Sequence, residues 1–74
     1  MDVFNIKLKP NQEFITLQSV LQVGDIISTG GMAKAFLEDN KVYVNGELEN
    51  RRGRKLYPGD EVKVLKTRFI IQKP

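Results

Sequence analysis

The 74-residue chain has no cysteine and no histidine. The first absence excludes disulfides and thiolate metal sites. The second removes the commonest general base and the commonest metal ligand. No run approaches the roughly 18 consecutive apolar residues of a membrane span. The opening MDVFNIKLKP alternates polar and apolar residues and lacks the apolar core of a signal peptide, so a soluble, cytoplasmic chain with no membrane contact is expected. Internal repeats and low-complexity tracts are missing as well. Ser19 and Ser28 are the only serines, and neither has a base to activate it. Asp25, Glu38, Asp39, Glu47, Glu49, Asp60 and Glu61 show no catalytic spacing and read as solvated surface carboxylates. Catalysis, cofactors and metals are therefore not expected.

What the chain does have is a globular composition, 41% hydrophobic and 28% charged. That length and composition describe one domain, residues 1–74, able to bury roughly 60% of the surface its unfolded chain exposes. The net charge of +3 is unevenly spread. Residues 1–50 hold four Lys and Arg against seven acids, a net of −3, and residues 51–74 hold eight against two, a net of +6. Such an asymmetry points to a basic face and a polyanionic partner.

The pattern along the chain predicts an α+β fold. Val3, Phe4, Ile6 and Leu8 read as a first strand, opposite Asn5, Lys7 and Lys9. Pro10-Asn11 is a turn, and Phe14-Ile15 a short extended piece. Thr16 is placed to cap a helix whose face carries Leu17, Val20 and Leu21 and which Gly24 stops. Ile26 and Ile27 are expected to be buried in the link. A second helix should start at Ser28 or Thr29, present Ala33, Phe36 and Leu37 to the core, and end at Asn40-Lys41. The period then shifts to two. Val42 and Val44 point one way and Tyr43 the other. Asn45-Gly46 is a hairpin turn. Pro58-Gly59 fits a type II turn. Val62 and Val64, then Phe69 to Ile71, supply the closing strands. Two consecutive helices are expected to pack on a small antiparallel sheet of about four to five short strands.

Two features suit an anion. Thr29-Gly30-Gly31 places bare backbone at a predicted helix start, where N–H groups lack partners, although a sharp turn between helices explains the same residues. Lys34 follows one turn later, free or paired with Glu38. The run Arg51-Arg52-Gly53-Arg54-Lys55 offers guanidinium forks matched to phosphate oxygens, with Gly53 lending the loop freedom. A solubilising loop is the plainer alternative. Tyr43 and Tyr57, outward in this reading, are placed to stack on bases, while Phe36 and Phe69 belong to the core.

In this order the motifs resemble the RNA-binding domain first seen in ribosomal small-subunit protein four, the S-four or alpha-L domain. The likeness runs over about residues 14–65 and rests on Thr29, Ala33-Lys34, the Val42 to Gly46 hairpin and the Pro58 to Asp60 turn. The glycine pair and RRGRK resemble the small standalone bacterial members, of YaaA type. Many members carry a basic residue just after the cap, where this chain has Gly30, and the denser Arg51–Lys55 loop is the candidate replacement. The resemblance implies a monomeric module that binds structured RNA, with ribosomal RNA or a ribosome-assembly intermediate as partner. Relatives that carry an enzyme such as a pseudouridine synthase add it as a separate fusion, so the domain itself implies binding alone. Thr29, Gly30, Gly31, Lys34, Tyr43, Asn45, Arg51, Arg52, Arg54 and Lys55 are the candidate contacts. About four phosphate contacts would give a log–log salt slope near −3. A β-grasp-like protein-interaction module shares the Val-Asn-Gly-Glu and Gly-Asp-Glu-Val signals, but it lacks two adjacent helices.

Overall fold

The structure, a computed structural model, describes residues 2–74. Strand β1 runs over Asp2–Lys7. A short β2, Ile15–Thr16, leads directly into α1, Leu17–Val23. Thr16 caps α1 as its sequence position predicts: it is extended, and its hydroxyl accepts from the Ser19 N–H at 3.3 Å. Gly24 ends the helix, and the close packing of its backbone against the Phe69 ring leaves no room for a side chain.

The second helix departs from expectation. Helix α2 spans Ala33–Asp39, preceded by a single 3₁₀ turn at Gly30–Met32. Thr29 is extended before that turn, but its side chain makes no capping hydrogen bond. Two adjacent glycines are poor α-formers, so the entry tightens into 3₁₀ geometry before the α-helix begins at the first alanine. Asn40 closes α2, with its backbone N–H and its side-chain amide both donating to the Phe36 carbonyl. Ile27 is buried in the link, while Ile26 is only half-buried.

The strands β3 (Val42–Val44), β4 (Glu47–Leu48), β6 (Glu61–Val64) and β7 (Thr67–Gln72) join β1 in a five-stranded sheet of order β1-β7-β6-β3-β4. Strand β5, Lys55–Leu56, pairs with β2 in a separate two-stranded sheet. The main sheet is mixed rather than purely antiparallel, because β1 lies parallel to β7, with Phe4 opposite Phe69 and Ile6 opposite Ile71. A parallel neighbour cannot come from a hairpin, so the two ends of the chain must meet across the whole fold. One side of the sheet carries Val42, Val44, Val62, Val64, Phe69 and Ile71, all buried with Leu17, Val20, Leu21, Ala33 and Leu37 from the helices. Phe36 is half-buried at the margin of that core. The adjacent helix pair separates the fold from the β-grasp arrangement. No helix among the described residues is long and apolar enough to cross a membrane.

Candidate nucleic-acid interface

The basic run leaves the sheet at the end of β4, and its shape is set by Glu49. The Glu49 backbone N–H still bonds the Val42 carbonyl at 2.8 Å, as a strand continuation, which turns its side chain inward. The residue is 7% exposed. Its Oε2 accepts from the backbone N–H groups of Asn50 and Arg51, each at 3.1 Å, and from Arg51 Nε at 3.0 Å. Its Oε1 accepts from Arg51 Nη2 at 3.0 Å and Arg54 Nη1 at 2.7 Å. A buried carboxylate requires such company, since an unpaired one is costly to desolvate. The Arg51 hydrogen bond is the main force holding the Glu49 carboxyl at a pKa of about 2, with Arg54 adding to it against the opposing effect of burial. The same contact raises the Arg51 guanidinium above its ordinary value. The expectation of a solvated Glu49 is therefore corrected: it is the loop's internal counter-ion. A Glu two residues upstream of an arginine run is the sequence signal that points to it.

The loop is docked as well as ion-paired. The Arg52 carbonyl accepts from the Gln18 N–H and the Arg54 carbonyl from the Leu17 N–H, both at 2.9 Å. These are the first two N–H groups of α1, which have no partner inside the helix. With Thr16 serving Ser19, the start of α1 is satisfied by one side chain and two loop carbonyls. The carbonyl oxygens also meet the positive end of the helix dipole. Anchoring the Arg52 carbonyl to α1 leaves its side chain exposed. Gly53 does not use a left-handed conformation, and a side chain there would meet nothing within 4 Å. Loop freedom is thus not what its backbone position demands.

Facing the loop is α2. Lys34, Leu37 and Glu38 on the helix, with Asn50, Arg51, Arg52 and Gly53 on the loop, line one groove of about 620 Å³. Lys34, in the first turn of α2, is exposed. Among the described residues the ion pairs are Arg51–Glu49, Arg54–Glu49 and Arg68–Glu61, so Lys34 does not pair with Glu38 and Arg52 has no acidic partner. Arg51 remains 71% exposed despite its bond to Glu49. The groove therefore presents three cations against the one lining carboxylate of Glu38.

The other sequence candidates lie elsewhere. Arg54 is 33% exposed, bound to Glu49, and does not line the groove. Lys55 sits over the Phe14 ring with Nζ 4.9 Å from its centroid, and Phe14 in turn packs on Tyr57. Gly30 is not open backbone: a Cβ there would lie 2.4 Å from Nε2 of Gln18, so that side chain already covers it. Gly31 is open, but with Thr29 it belongs to the 3₁₀ entry rather than to an exposed α-helix tip. Asn45 is a clasp. It holds φ +51 in the hairpin turn, its Oδ1 accepts from the Glu61 N–H at 2.9 Å, and its Nδ2 donates to Asp60 at 3.0 Å. Asp60 in turn accepts from the Tyr57 N–H at 2.7 Å, closing the turn at Gly59, whose φ is +98. Tyr43 lies on the sheet face opposite the buried Val42 and Val44.

The comparisons with known proteins agree with this architecture. A family model described as the S4 domain matches residues 7–72. The chain is also 56% identical over 52 residues to the probable ribosome maturation protein RlbA of Bacillus subtilis (strain 168), a match covering 70% of this chain and 73% of that relative. By fold, motif order and sequence, the chain belongs to the S4 domain family.

Proposed function

We propose that this chain is an RNA-binding protein that grips structured RNA in the groove between α2 and the Arg51–Arg54 turn. The observation that carries the reading is the meeting of Lys34 and Arg52, two exposed cations with no acidic partner among the described residues, across one concave surface. Their ammonium and guanidinium groups would each take a backbone phosphate, and the exposed part of Arg51 a third. Glu49 acts beneath them as a positioning residue. It fixes Arg51 and Arg54 and, through the turn, sets the direction in which Arg52 points. Because Glu49 and the first N–H groups of α1 already hold the loop, little conformational entropy would be lost on contact. Phosphate contacts of this kind position a ligand rather than read its bases, so the groove would recognise RNA shape.

The RlbA relative is named for ribosome maturation. Ribosomal RNA, or an assembly intermediate that contains it, is accordingly the ligand we assign, with the protein acting in the bacterial cytoplasm as a single chain and by binding rather than catalysis. The test is fluorescence anisotropy with a labelled ribosomal RNA hairpin. Replacing both Lys34 and Arg52 with alanine should weaken binding about tenfold, equivalent to ~1.4 kcal/mol. Unchanged affinity in a folded double variant would reduce the groove to a solvated surface.

A further inference from the structure

The alternation that buries Val42 and Val44 leaves Tyr43 on the side of the sheet away from the helices. Strand register fixes its neighbours there. Tyr43 stands opposite Leu48 on β4 and Lys63 on β6. Lys63 stands opposite Arg68 on β7, and Arg68 opposite Val3 on β1. Each of the five strands thus places one residue in a row about 19 Å long, at ~4.8 Å per strand. Leu48 is 62% exposed, and Lys63 is also exposed. Tyr43, Gly46, Glu61 and Lys63 line a separate groove of about 340 Å³. A side chain at Gly46 would meet nothing within 4 Å, so the groove is open at the hairpin tip.

The chemistry of this surface is specific. An aromatic ring lies one strand away from a lysine that, among the described residues, has no ion pair. The carboxylate lining the groove, Glu61, is already bound to Arg68. The row offers a protein partner no continuous apolar core, because Lys63 and the Arg68–Glu61 pair separate Leu48 and Tyr43 from Val3. An unpaired nucleotide matches what is present: a base stacks on an aromatic face of any sequence, and its phosphate reaches a cation about 5 Å along.

We propose that the outer face of the main sheet is a second RNA contact, for unpaired nucleotides, with a base on Tyr43 and its phosphate on Lys63. This rests on the reading of the chain as an RNA binder, but it uses the sheet face opposite the helices. The protein would then hold a structured element on one side and a single strand on the other.

Tyr43 and Tyr57 are the only tyrosines and there is no tryptophan, so a Tyr57→Phe background makes Tyr43 the sole strong emitter. Titration of that protein with an eight-nucleotide oligouridylate should quench Tyr43 emission saturably. Lys63→Ala should raise the half-saturation concentration about fivefold, while Arg52→Ala should leave it within twofold. Absence of quenching, or quenching lost with Arg52→Ala but indifferent to Lys63→Ala, overturns the proposal. Anisotropy with the ribosomal RNA hairpin, run on the same preparations, keeps the two sites apart. Hairpin binding without quenching discards the sheet contact alone, and failure of both ligands discards both.

Discussion

Replacing Glu49 with glutamine keeps the size of the side chain but removes the negative charge from beneath two guanidinium groups. One amide oxygen remains to accept, while the new NH₂ faces Arg51 or Arg54 as donor against donor. The wild-type pKa of about 2, against an ordinary 4.5, corresponds to about 3 kcal/mol of coupling at neutral pH. The loop covering the carboxylate is a single layer and Arg51 is 71% exposed, so solvent screening reduces this to about 1–2 kcal/mol. For a domain of this size, that lowers the melting temperature by roughly 5–12 °C. The sign with pH follows from the depressed pKa. The folded state favours the ionised form, so the contribution is complete above pH 4.5 and drains away as pH falls toward 2. Thermal melts of wild type and Glu49→Gln from pH 7 to pH 2.5, followed by circular dichroism, isolate it, because the other carboxylates titrate in both proteins. The gap between the two curves should be constant down to about pH 5 and narrow steadily below pH 4.5. A gap that is absent at pH 7, or that does not narrow in acid, would refute the role of Glu49 as internal counter-ion.

Other substitutions separate structure from binding. Arg54→Ala should destabilise by about 1 kcal/mol, whereas Arg52→Ala should leave the melting temperature unchanged, since its carbonyl rather than its side chain docks the loop. Asn45→Ala removes two hydrogen bonds and leaves an alanine at positive φ, a loss of about 2 kcal/mol that should move the urea midpoint down by roughly 2 M. Gly24→Ala forces a Cβ to within 2.3 Å of the fully buried Phe69 ring and should cost about 1–3 kcal/mol, read from the same urea curves. Gly53→Ala, by contrast, should change stability by less than about 0.5 kcal/mol.

The elements legible in the sequence are those whose determinants lie within a few residues of one another. Thr16 and Gly24 bracket α1, Asn45-Gly46 makes the β3–β4 hairpin, and Gly59 takes the positive φ that a type II turn requires. The parallel pairing of β1 with β7 was not legible, because Asp2 meets Thr67 and no local signal spans that separation. The same limit applies to the basic loop. Its charge was plain, but the burial of Glu49 depends on the continuation of β4, and the docking of Arg52 and Arg54 carbonyls depends on where α1 begins. Tertiary contacts therefore sorted the cations. Lys34, Arg51 and Arg52 converge on the groove, Arg54 is taken by Glu49, and Lys55 covers Phe14. At Thr29 to Gly31 the 3₁₀ entry has a local cause, since paired glycines are poor α-formers, whereas the covering of Gly30 by Gln18 of α1 is a tertiary contact that no local signal announces.

On the proposed RNA-binding reading, that sorting changes the number of phosphate contacts expected, and salt dependence measures that number. With Lys34, Arg52 and the exposed part of Arg51 engaged, about three contacts replace the four suggested by the sequence, and the log–log slope for an irregular RNA falls from near −3 to about −2. Anisotropy titrations of the ribosomal RNA hairpin from 50 to 300 mM salt should give that slope, and Lys34→Ala combined with Arg52→Ala should flatten it to about −0.7. A slope that the double substitution leaves unchanged would contradict the account.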